Sequence, residues 1–331
     1  MKISFEERLN AALAAIETQN LNAIVAVSRN GGSILLRECG APAKDGIPPG
    51  ATQVDVNSIT KTVTGIMAAK LVQQGNAKFD ETLGDFFDHV PADKSGITLH
   101  QLLTHSAGLI ESVGSDPERL SKRQFLSRVF KSELGSPPGE IYRYSNVGFG
   151  IVAAIIEARS RKLYEDYLRE DVLAELGLSN TGYAAVYDEK LSLRTKRGQS
   201  IEQASWGGHE PYWNLIGNGG LVSTVLDMIC FRQAVASGKI ISNEMLAIVQ
   251  TPHIKEDEAA TSFYGYGLVI EDITGVGRIY WHDGGNGVFS AMWSDYSEHG
   301  DIVFTAGMDR DAIKAMHCFE AHFCDYGEGG H

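Results

Sequence analysis

The chain begins with apolar residues at helical spacing and continues with two short runs of β-forming residues. The helical spacing over residues 5–19 predicts an amphipathic helix. Residues 23–28 and 33–38 flank Asn30-Gly31, a dipeptide that favours a two-residue hairpin turn. The first forty residues are therefore predicted to form a helix followed by a β-hairpin.

A longer apolar run covers residues 58–74 and ends at Gly75, which predicts a second helix. Asn57 stands directly before this run and is a preferred N-cap residue. With Asn57 as the cap, the backbone N–H of Ser58 lies among the first helical donors, which have no partner within the helix. The pattern thus predicts a helix that offers a free backbone donor at Ser58.

Residues 76–214 show the pattern of helices and long loops, and strand patterns return after them. The clearest helical patterns in the middle region are at 151–159 and 164–176. The later segments are predicted strands at 266–271, 278–281, 288–293 and 302–306, and a final helix at 312–324.

Strand patterns at both ends of the chain indicate one sheet that is assembled from both ends. We predict an α/β fold with an α insertion: an antiparallel β-sheet flanked by N- and C-terminal helices, with a mostly helical lobe beside it. The predicted sheet lobe comprises residues 1–75 and 215–331, and the helical lobe comprises residues 76–214. A site that uses both lobes is expected at their junction.

The composition fits a globular protein with a large core, since 43% of the 331 residues are hydrophobic. A net charge of −13 argues against binding to nucleic acid or to an anionic membrane. No run of 18 apolar residues predicts a membrane span. The start, with Lys2, Glu6 and Glu7, is too charged for a signal peptide, so the sequence as written predicts a cytoplasmic protein; the mature form of a periplasmic or secreted protein would look the same.

The cysteines show no disulfide framework, and free thiols are expected. Cys318 and His322 are four residues apart in a predicted helix, and Cys324 follows, which is the one arrangement that suggests a metal site. No second pair of ligands follows, so a helix that packs on the sheet is the preferred interpretation and no metal is predicted.

The strongest candidate chemistry lies at the start of the second helix, in Ser58-Ile59-Thr60-Lys61. Side chains three residues apart on a helix lie on one face, about 5 to 6 Å apart at Cβ. Ser58 is therefore a candidate nucleophile beside Lys61, a candidate base. The positive end of the helix dipole lowers the preference of Lys61 for its protonated form.

Two further motifs follow in order, Tyr144-Ser145-Asn146 and His282-Asp283-Gly284-Gly285. The ordered set S-x-x-K, Y-x-N and [KH]-x-G resembles the serine β-lactamase and penicillin-binding-protein family, in the branch of class C β-lactamases, D-aminopeptidases and family VIII-type esterases. Other segments that look like landmarks of this family are residues 97–109, 138–140, 176–181 and 217–224. The resemblance implies a β-lactamase/transpeptidase-like fold, no cofactor, and a small-molecule ester, amide or β-lactam as substrate.

The resemblance implies that Ser58 is the acylated residue and that Lys61 and Tyr144 act together as the base. The sequence does not show which of these two side chains holds the shared proton. Asn146 is expected to hold the lysine amine and a substrate carbonyl through its amide. Gly284 and Gly285 allow close approach to the substrate, and the Gly285 N–H is the second expected oxyanion donor beside that of Ser58.

A second Y-x-N occurs at Tyr212-Trp213-Asn214, but only Tyr144 has the order and the Pro-Gly lead-in that the family shows. We instead expect Tyr212 and Trp213, with Trp206, to wall an acyl or leaving-group pocket, ordinary aromatic packing being the alternative. His100 and His105 are interpreted as structural residues.

The third motif carries His282 where β-lactamases usually have lysine. A neutral histidine offers no permanent cation to a substrate carboxylate, which favours esters or amides without one. The predicted function is a metal-free serine hydrolase that acts through an acyl-enzyme, an esterase or amidase of small or D-configured substrates. A class C-like β-lactamase or D-Ala-D-Ala carboxypeptidase is the alternative within the class, and a penicillin-binding sensor without turnover is the alternative outside it.

Two other hydrolase classes are disfavoured, because the sequence contains neither G-x-S-x-G nor H-E-x-x-H. The oligomeric state stays open.

Overall fold

The computed structural model describes residues 4–40, 46–274, 276–298 and 300–323. Its main feature is an eight-stranded antiparallel sheet of order β2-β1-β10-β9-β8-β7-β6-β5, and strands β3 and β4 pair separately. The strands are β1 Ala23–Ser28, β2 Ile34–Cys39, β3 Val54–Asp55, β4 Val222–Ser223, β5 Ile254–Lys255, β6 Ser262–Tyr264, β7 Val269–Ile273, β8 Gly277–Gly285, β9 Phe289–Tyr296 and β10 Asp301–Met308. The α-helices are α1 Phe5–Thr18, α2 Thr60–Gln73, α3 Leu83–Phe86, α4 Leu99–Leu103, α5 Lys122–Lys131, α6 Asn146–Ser160, α7 Tyr164–Tyr167, α8 Ile201–Ala204, α9 Val225–Ala236, α10 Asn243–Val249 and α11 Asp311–Phe323.

The predicted first helix and hairpin are both confirmed. Ser4 caps α1 in a reciprocal pair of hydrogen bonds with Glu7. In the hairpin turn, Asn30 and Gly31 have φ angles of 52° and 66°, and the Gly32 N–H donates to the Arg29 carbonyl at 2.8 Å. Positive φ at both central residues is the turn geometry that fits the twist of a hairpin, and Asn-Gly adopts it readily.

The late strands are also confirmed; β8, β9 and β10 are longer than their apolar patterns predicted, and β7 begins and ends later than predicted. Strands β7 to β10 correspond to the four predicted strands, and β1 joins the sheet beside β10, so the sheet is built from both ends of the chain. The sequence pattern missed β3, β4, β5 and β6, because each has only two or three residues and cannot show an alternating period.

Helices cover both faces of the sheet. α1 and α11 pack on one face over a core that includes Ile16, Val25 and Phe319. α2 and α9 lie in the larger core on the other face, which continues into the helical region. In the described part of the chain, no helix is both long and apolar enough to cross a membrane.

The middle region is helical, but the helix predicted at 164–176 is not regular. It consists of α7, a π-helical turn at Leu168–Leu173 and a 3₁₀ turn at Ala174–Leu176. The boundaries of the two lobes stay a prediction.

At the carboxyl-terminal end, Cys318 is buried and accepts a hydrogen bond from Gln19. Cys39, Cys230 and Cys318 are free thiols. Cys324 lies outside the described residues, and among the described ones no three side chains of His, Cys, Asp or Glu form a group that could hold a metal ion.

Candidate active site

Ser58 lies in a 3₁₀ turn, Asn57–Ile59, between β3 and α2. The turn packs against β8, which brings the first motif to the sheet. The first helical hydrogen bond runs from the Ile59 N–H to the Val56 carbonyl, so the Ser58 N–H precedes it. Ser58 thus keeps the position of an unpaired donor at a helix start.

The prediction that Asn57 caps the helix is wrong. Asn57 has a φ of 49°, in the left-handed region, whereas an N-cap residue has extended backbone. Its side chain donates backwards to the Asp55 carbonyl at 3.1 Å, and its N–H donates to Asp55 Oδ1 at 2.8 Å. The side chain and the N–H of the residue before Ser58 are therefore held by Asp55, and the side chain does not cap the helix.

Two predicted motifs meet at the Ser58 hydroxyl. Lys61 Nζ lies 3.1 Å from Ser58 Oγ, and the Tyr144 hydroxyl donates to the same oxygen at 2.9 Å. Lys61 is fully buried, and its amine also donates to the Asn218 carbonyl at 2.7 Å. The serine hydroxyl is thus in contact with a base candidate and an acid candidate at once.

Burial lowers the pKa of Lys61 to about 7, because desolvation disfavours the charged amine. The carboxylates of Asp116, Glu111 and Asp283 act in the opposite direction and raise the pKa. At neutral pH a large fraction of the Lys61 amine is therefore neutral and able to accept a proton.

Tyr144 behaves differently, since burial raises its pKa well above the ordinary value and the hydrogen bond to Ser58 only partly offsets this. A phenol with a raised pKa keeps its proton at neutral pH and acts as a donor. The Lys61 amine lies 4.8 Å from the centre of the Tyr144 ring. Of the two base candidates, the electrostatics favour Lys61.

The third residue of the Y-x-N motif does not make the predicted lysine contact. Helix α6 starts at Asn146, and the cap is Ser145, whose Oγ accepts the Gly148 N–H at 3.0 Å. Among the described residues, the hydrogen bonds of the Lys61 amine go to Ser58 and to the Asn218 carbonyl, so Asn218 takes the place expected of Asn146. Asn146 stays a predicted contact for the substrate only.

His282 is buried, with 3% of its surface exposed, and both ring nitrogens have partners. Its Nδ1 lies 2.5 Å from the Asp283 carbonyl, which only accepts, so Nδ1 carries the proton. Burial lowers the pKa of His282 to about 4, so at neutral pH Nε2 is unprotonated and accepts from the Tyr264 hydroxyl at 3.0 Å. This supports the predicted neutral state; both ring nitrogens have partners within the protein, and a contact of His282 with the substrate stays a prediction.

His105 is the second buried imidazole near the site. Its Nδ1 accepts the Ser145 N–H at 3.1 Å, and its ring centroid lies 4.5 Å from that of Tyr144. Burial lowers its pKa well below the ordinary value. His105 therefore supports Tyr144 by packing, and His100 lies elsewhere, with Nδ1 2.8 Å from the Tyr266 hydroxyl.

Gly284 lies against the nucleophile turn. A Cβ at this position would stand 2.5 Å from Ser58 N and 2.8 Å from the Val56 carbonyl oxygen, whereas a Cβ at Gly285 would meet nothing closer than 3.6 Å. Only glycine fits at position 284 without moving backbone.

We expect Gly284→Ala to lower activity strongly and to destabilise the protein by about 1 to 3 kcal/mol, because the added methyl group forces the backbone of Ser58 away. Gly96→Ala, where an added Cβ would meet nothing within 4 Å, is the matched control and should keep both activity and stability. Ester hydrolysis and thermal unfolding of the two variants measure the difference. Equal effects at both positions would contradict the close packing of β8 against Ser58.

The expected aromatic pocket is only partly right. Trp206 is 2% exposed and donates to the Gly220 carbonyl at 3.1 Å, so it is a core residue and does not wall a pocket. Tyr212 and Trp213 do line a cavity of about 330 Å³ beside Tyr164, but neither Ser58 nor Lys61 lines it. The cavity that Tyr212 and Trp213 line is therefore not the pocket that was expected beside Ser58.

Asn214, the third residue of the competing Y-x-N, holds the loop between α4 and α5 by donating to the carbonyl of Ser115 at 2.6 Å. This loop carries Glu111 and Asp116, which sequence reasoning did not assign to the site. No spacing could have indicated them, because they act on Lys61 through space. Asn218 could have been predicted from the sequence, since it lies in the Gly-Asn-Gly-Gly run within residues 217–224, which look like a landmark of the family.

Comparison with known proteins settles the family. A family model described as Beta-lactamase matches residues 6–307, which is most of the chain. The chain belongs to the beta-lactamase family. Its membership confirms the resemblance that the three motifs carried.

One curated relative of this chain is distant in sequence. Penicillin-binding protein 4* from Bacillus subtilis (strain 168) is 24% identical over 286 residues, which is 78% of this chain and 61% of that protein. The chain thus spans less than two thirds of the length of this relative.

Solved structures show the fold over almost the whole chain. A penicillin binding protein from Bacillus halodurans has a TM-score of 0.80 at 21% identity, covering 93% of this chain and 99% of that one. A D-amino acid amidase from Ochrobactrum anthropi SV3, complexed with D-phenylalanine, has a TM-score of 0.79 at 18% identity, covering 96% and 99%. The predicted β-lactamase/transpeptidase-like fold is confirmed.

Proposed function

We propose that this protein is a serine hydrolase that forms an acyl-enzyme at Ser58 and acts on small esters or amides. One observation carries the proposal: Lys61 Nζ and the Tyr144 hydroxyl both lie within hydrogen-bond distance of Ser58 Oγ, at 3.1 and 2.9 Å. A serine hydroxyl needs an adjacent base to become an effective nucleophile, and a lysine with a pKa of about 7 supplies one at neutral pH.

In the acylation step, Ser58 Oγ bonds to the substrate carbonyl carbon as its proton passes to Lys61 Nζ. The carbonyl oxygen gains the negative charge, and the backbone N–H groups of Ser58 and Gly285 are its proposed donors. Tyr144, still protonated, gives its proton to the leaving alcohol or amine as the carbonyl–leaving-group bond breaks, and recovers a proton from Lys61. In deacylation a water molecule takes the place of the leaving group, and Ser58 is regenerated.

The charges around the base favour substrates without a free carboxylate. Asp116, Glu111 and Asp283 act on the Lys61 amine, and His282 is neutral. An anionic substrate approaching Ser58 would meet these carboxylates, whereas a neutral or ammonium-bearing one would not be repelled. Amides of D-amino acids are therefore among the proposed substrates, in line with the structural likeness to a D-amino acid amidase.

A fluorophosphonate probe tests the nucleophile, because it phosphonylates an activated serine with loss of fluoride. We expect one added phosphonyl group on the peptide that contains Ser58, and no added mass in Ser58→Ala. Ser106→Ala, which changes another buried serine hydroxyl, is the control and should label as the wild type does. Labelling of Ser58→Ala at the wild-type rate would remove Ser58 from the mechanism.

Acylation by β-lactams is the second candidate, because a family relative is named as a penicillin-binding protein. Intact-mass spectrometry with a penicillin distinguishes the possibilities. A transient adduct indicates a β-lactamase, a persistent one indicates a sensor or penicillin-binding protein without turnover, and none leaves the esterase or amidase.

A further inference from the structure

Asp55 is a buried carboxylate close to the nucleophile to which the proposed mechanism gives no chemical step. It lies in β3, three residues before Ser58, and is 1% exposed. Its two oxygens have different partners: Oδ1 accepts the Asn57 N–H at 2.8 Å, and Oδ2 accepts Asn286 Nδ2 at 3.2 Å. One carboxylate thus joins the turn before Ser58 to the end of β8.

The Asn286 amide is fixed in one orientation. Its Oδ1 accepts the N–H groups of Val288 at 3.0 Å and Phe289 at 2.9 Å, so its Nδ2 must face Asp55. Asn286 directly follows Gly285, the proposed second oxyanion donor, and Asn57 directly precedes Ser58, the first. Gly284 lies against Ser58 N, between the segment that carries Asn57 and the one that carries Asn286.

We propose that Asp55 is a positioning residue that sets the distance between the two oxyanion donors by tying the segments that carry them to one buried carboxylate. That these N–H groups are oxyanion donors rests on the proposed function. The bridge itself does not, because it is a contact between β3 and the β8–β9 turn. Asp55 touches neither the substrate nor the reacting atoms.

The energetic cost of burying the Asp55 carboxylate supports a functional reason for its presence. Burial raises the pKa of Asp55 to about 6, against the lowering effect of hydrogen bonds from Ser205 and Asn57, and the charge of Asp116 raises it further. The other titratable group that interacts with it is the buried Tyr183 phenol, whose own pKa is raised mainly by burial, so it stays neutral. A carboxyl that binds its proton more tightly when folded lowers stability as pH rises from about 4 through 6. The fold therefore bears a cost at neutral pH for keeping Asp55 charged.

Exchange of the two polar partners separates the bridge from a general need for a carboxylate. In Asp55→Asn, the new amide nitrogen must face either the Asn57 N–H or the fixed Asn286 nitrogen, so one of the two segments loses its acceptor and meets donor against donor. In Asn286→Asp, two carboxylates would face each other. The double variant Asp55→Asn with Asn286→Asp restores one donor and one acceptor across the gap while the Val288 and Phe289 N–H groups keep an acceptor.

The experiment measures kcat and KM for p-nitrophenyl butyrate in the wild type, both single variants, the double variant and Asp295→Asn. We expect each single change to lower kcat by about tenfold to a hundredfold with KM almost unchanged, since misplacing a donor acts on the transition state. The double variant should regain most of the loss. Asp295→Asn, which alters a buried carboxylate paired with Arg232 at 3.3 Å, should change stability and leave kcat of the folded protein as it was.

A second readout does not depend on catalysis. The amide NMR signals of Ser58 and Gly285 should shift together with pH around 6 in the wild type, and Asp55→Asn should lose this transition but keep the one that the Lys61 amine causes near pH 7. An active wild type with an equally active Asp55→Asn, or a double variant that recovers nothing, would overturn the bridge. A wild type that hydrolyses no ester and takes up no fluorophosphonate, yet shows the paired shifts, would overturn the proposed function and leave the bridge standing.

Discussion

We expect Lys61→Met to lower kcat/KM for an activated ester by about 10²- to 10⁴-fold, the range for loss of a positioned general base. Lys61 lies 3.1 Å from Ser58 Oγ, and its pKa of about 7 makes it the acceptor of the serine proton. Because a lowered lysine pKa means that burial of its charge opposes folding, the variant should be no less stable than the wild type. Steady-state kinetics and thermal unfolding of the same preparations test both parts.

Tyr144→Phe should lower kcat/KM by a similar factor, and the double variant should lose little more than either single one. The reason is that both side chains act on one oxygen, so removal of either breaks the same proton path. The wild-type rate should rise with pH through about 7, as the Lys61 amine loses its proton, and this dependence should vanish in Lys61→Met.

Lys94→Met is the matched control. Lys94 is also buried, but its amine forms an ion pair with Asp93 at 2.6 Å and does not contact Ser58. The Lys94→Met variant should keep the wild-type pH profile. Losses that multiply in the double variant would mean that Lys61 and Tyr144 act in separate steps.

The second large effect concerns a carboxylate on the substrate. We expect kcat/KM for p-nitrophenyl butyrate to exceed that for the mono-p-nitrophenyl ester of succinic acid, and that for a cephalosporin, by about tenfold to a hundredfold. A charge-assisted hydrogen bond is worth about 1.5 to 3 kcal/mol, which is one to two orders of magnitude in rate. Here the third motif offers a neutral His282, with a pKa of about 4, and the charges acting on Lys61 are carboxylates.

The butyrate and succinate esters differ in one carboxylate, so they separate charge from shape. Glu111→Gln and Asp116→Asn should narrow the gap between them, and Glu175→Gln, an exposed acid in the 3₁₀ turn at 174–176, should not. Raised salt should narrow it as well, because exposed charges are screened. A cephalosporin that turns over faster than the butyrate ester would make a β-lactamase the better description.

Local chemistry made part of the fold predictable. Asn30-Gly31 determines its own turn, because both residues tolerate positive φ, and Ser4 with Glu7 closes a cap that needs no distant partner. The long late strands β8 to β10 carry aromatic or β-branched residues that are visible in the sequence. Strands of two or three residues, such as β3 and β5, carry no such signal and form only because a partner strand is already present.

In the candidate site, too, local spacing predicted some contacts and only the folded chain decided the others. Ser58 and Lys61 meet because three residues of helix bring them together, and the order of the motifs indicated that Tyr144 and the His282 strand would join them. The structure alone decided that Asn57 faces back to Asp55, that the Asn218 carbonyl holds the lysine amine, and that Trp206 is buried.

The sequence by itself placed Ser58 beside Lys61, as the predicted nucleophile and base, and indicated the antiparallel architecture, because these follow from spacing along one helix and from patterns within single elements. The tertiary structure decided the protonation states and the partners that set them. Lys61 has its low pKa because the folded chain buries it completely, and burial likewise keeps His282 neutral, while the contacts with Asp283 and Tyr264 determine which of its ring nitrogens carries the proton. Desolvation and contacts between residues more than a hundred positions apart are properties of the packed chain, and no local pattern carries them.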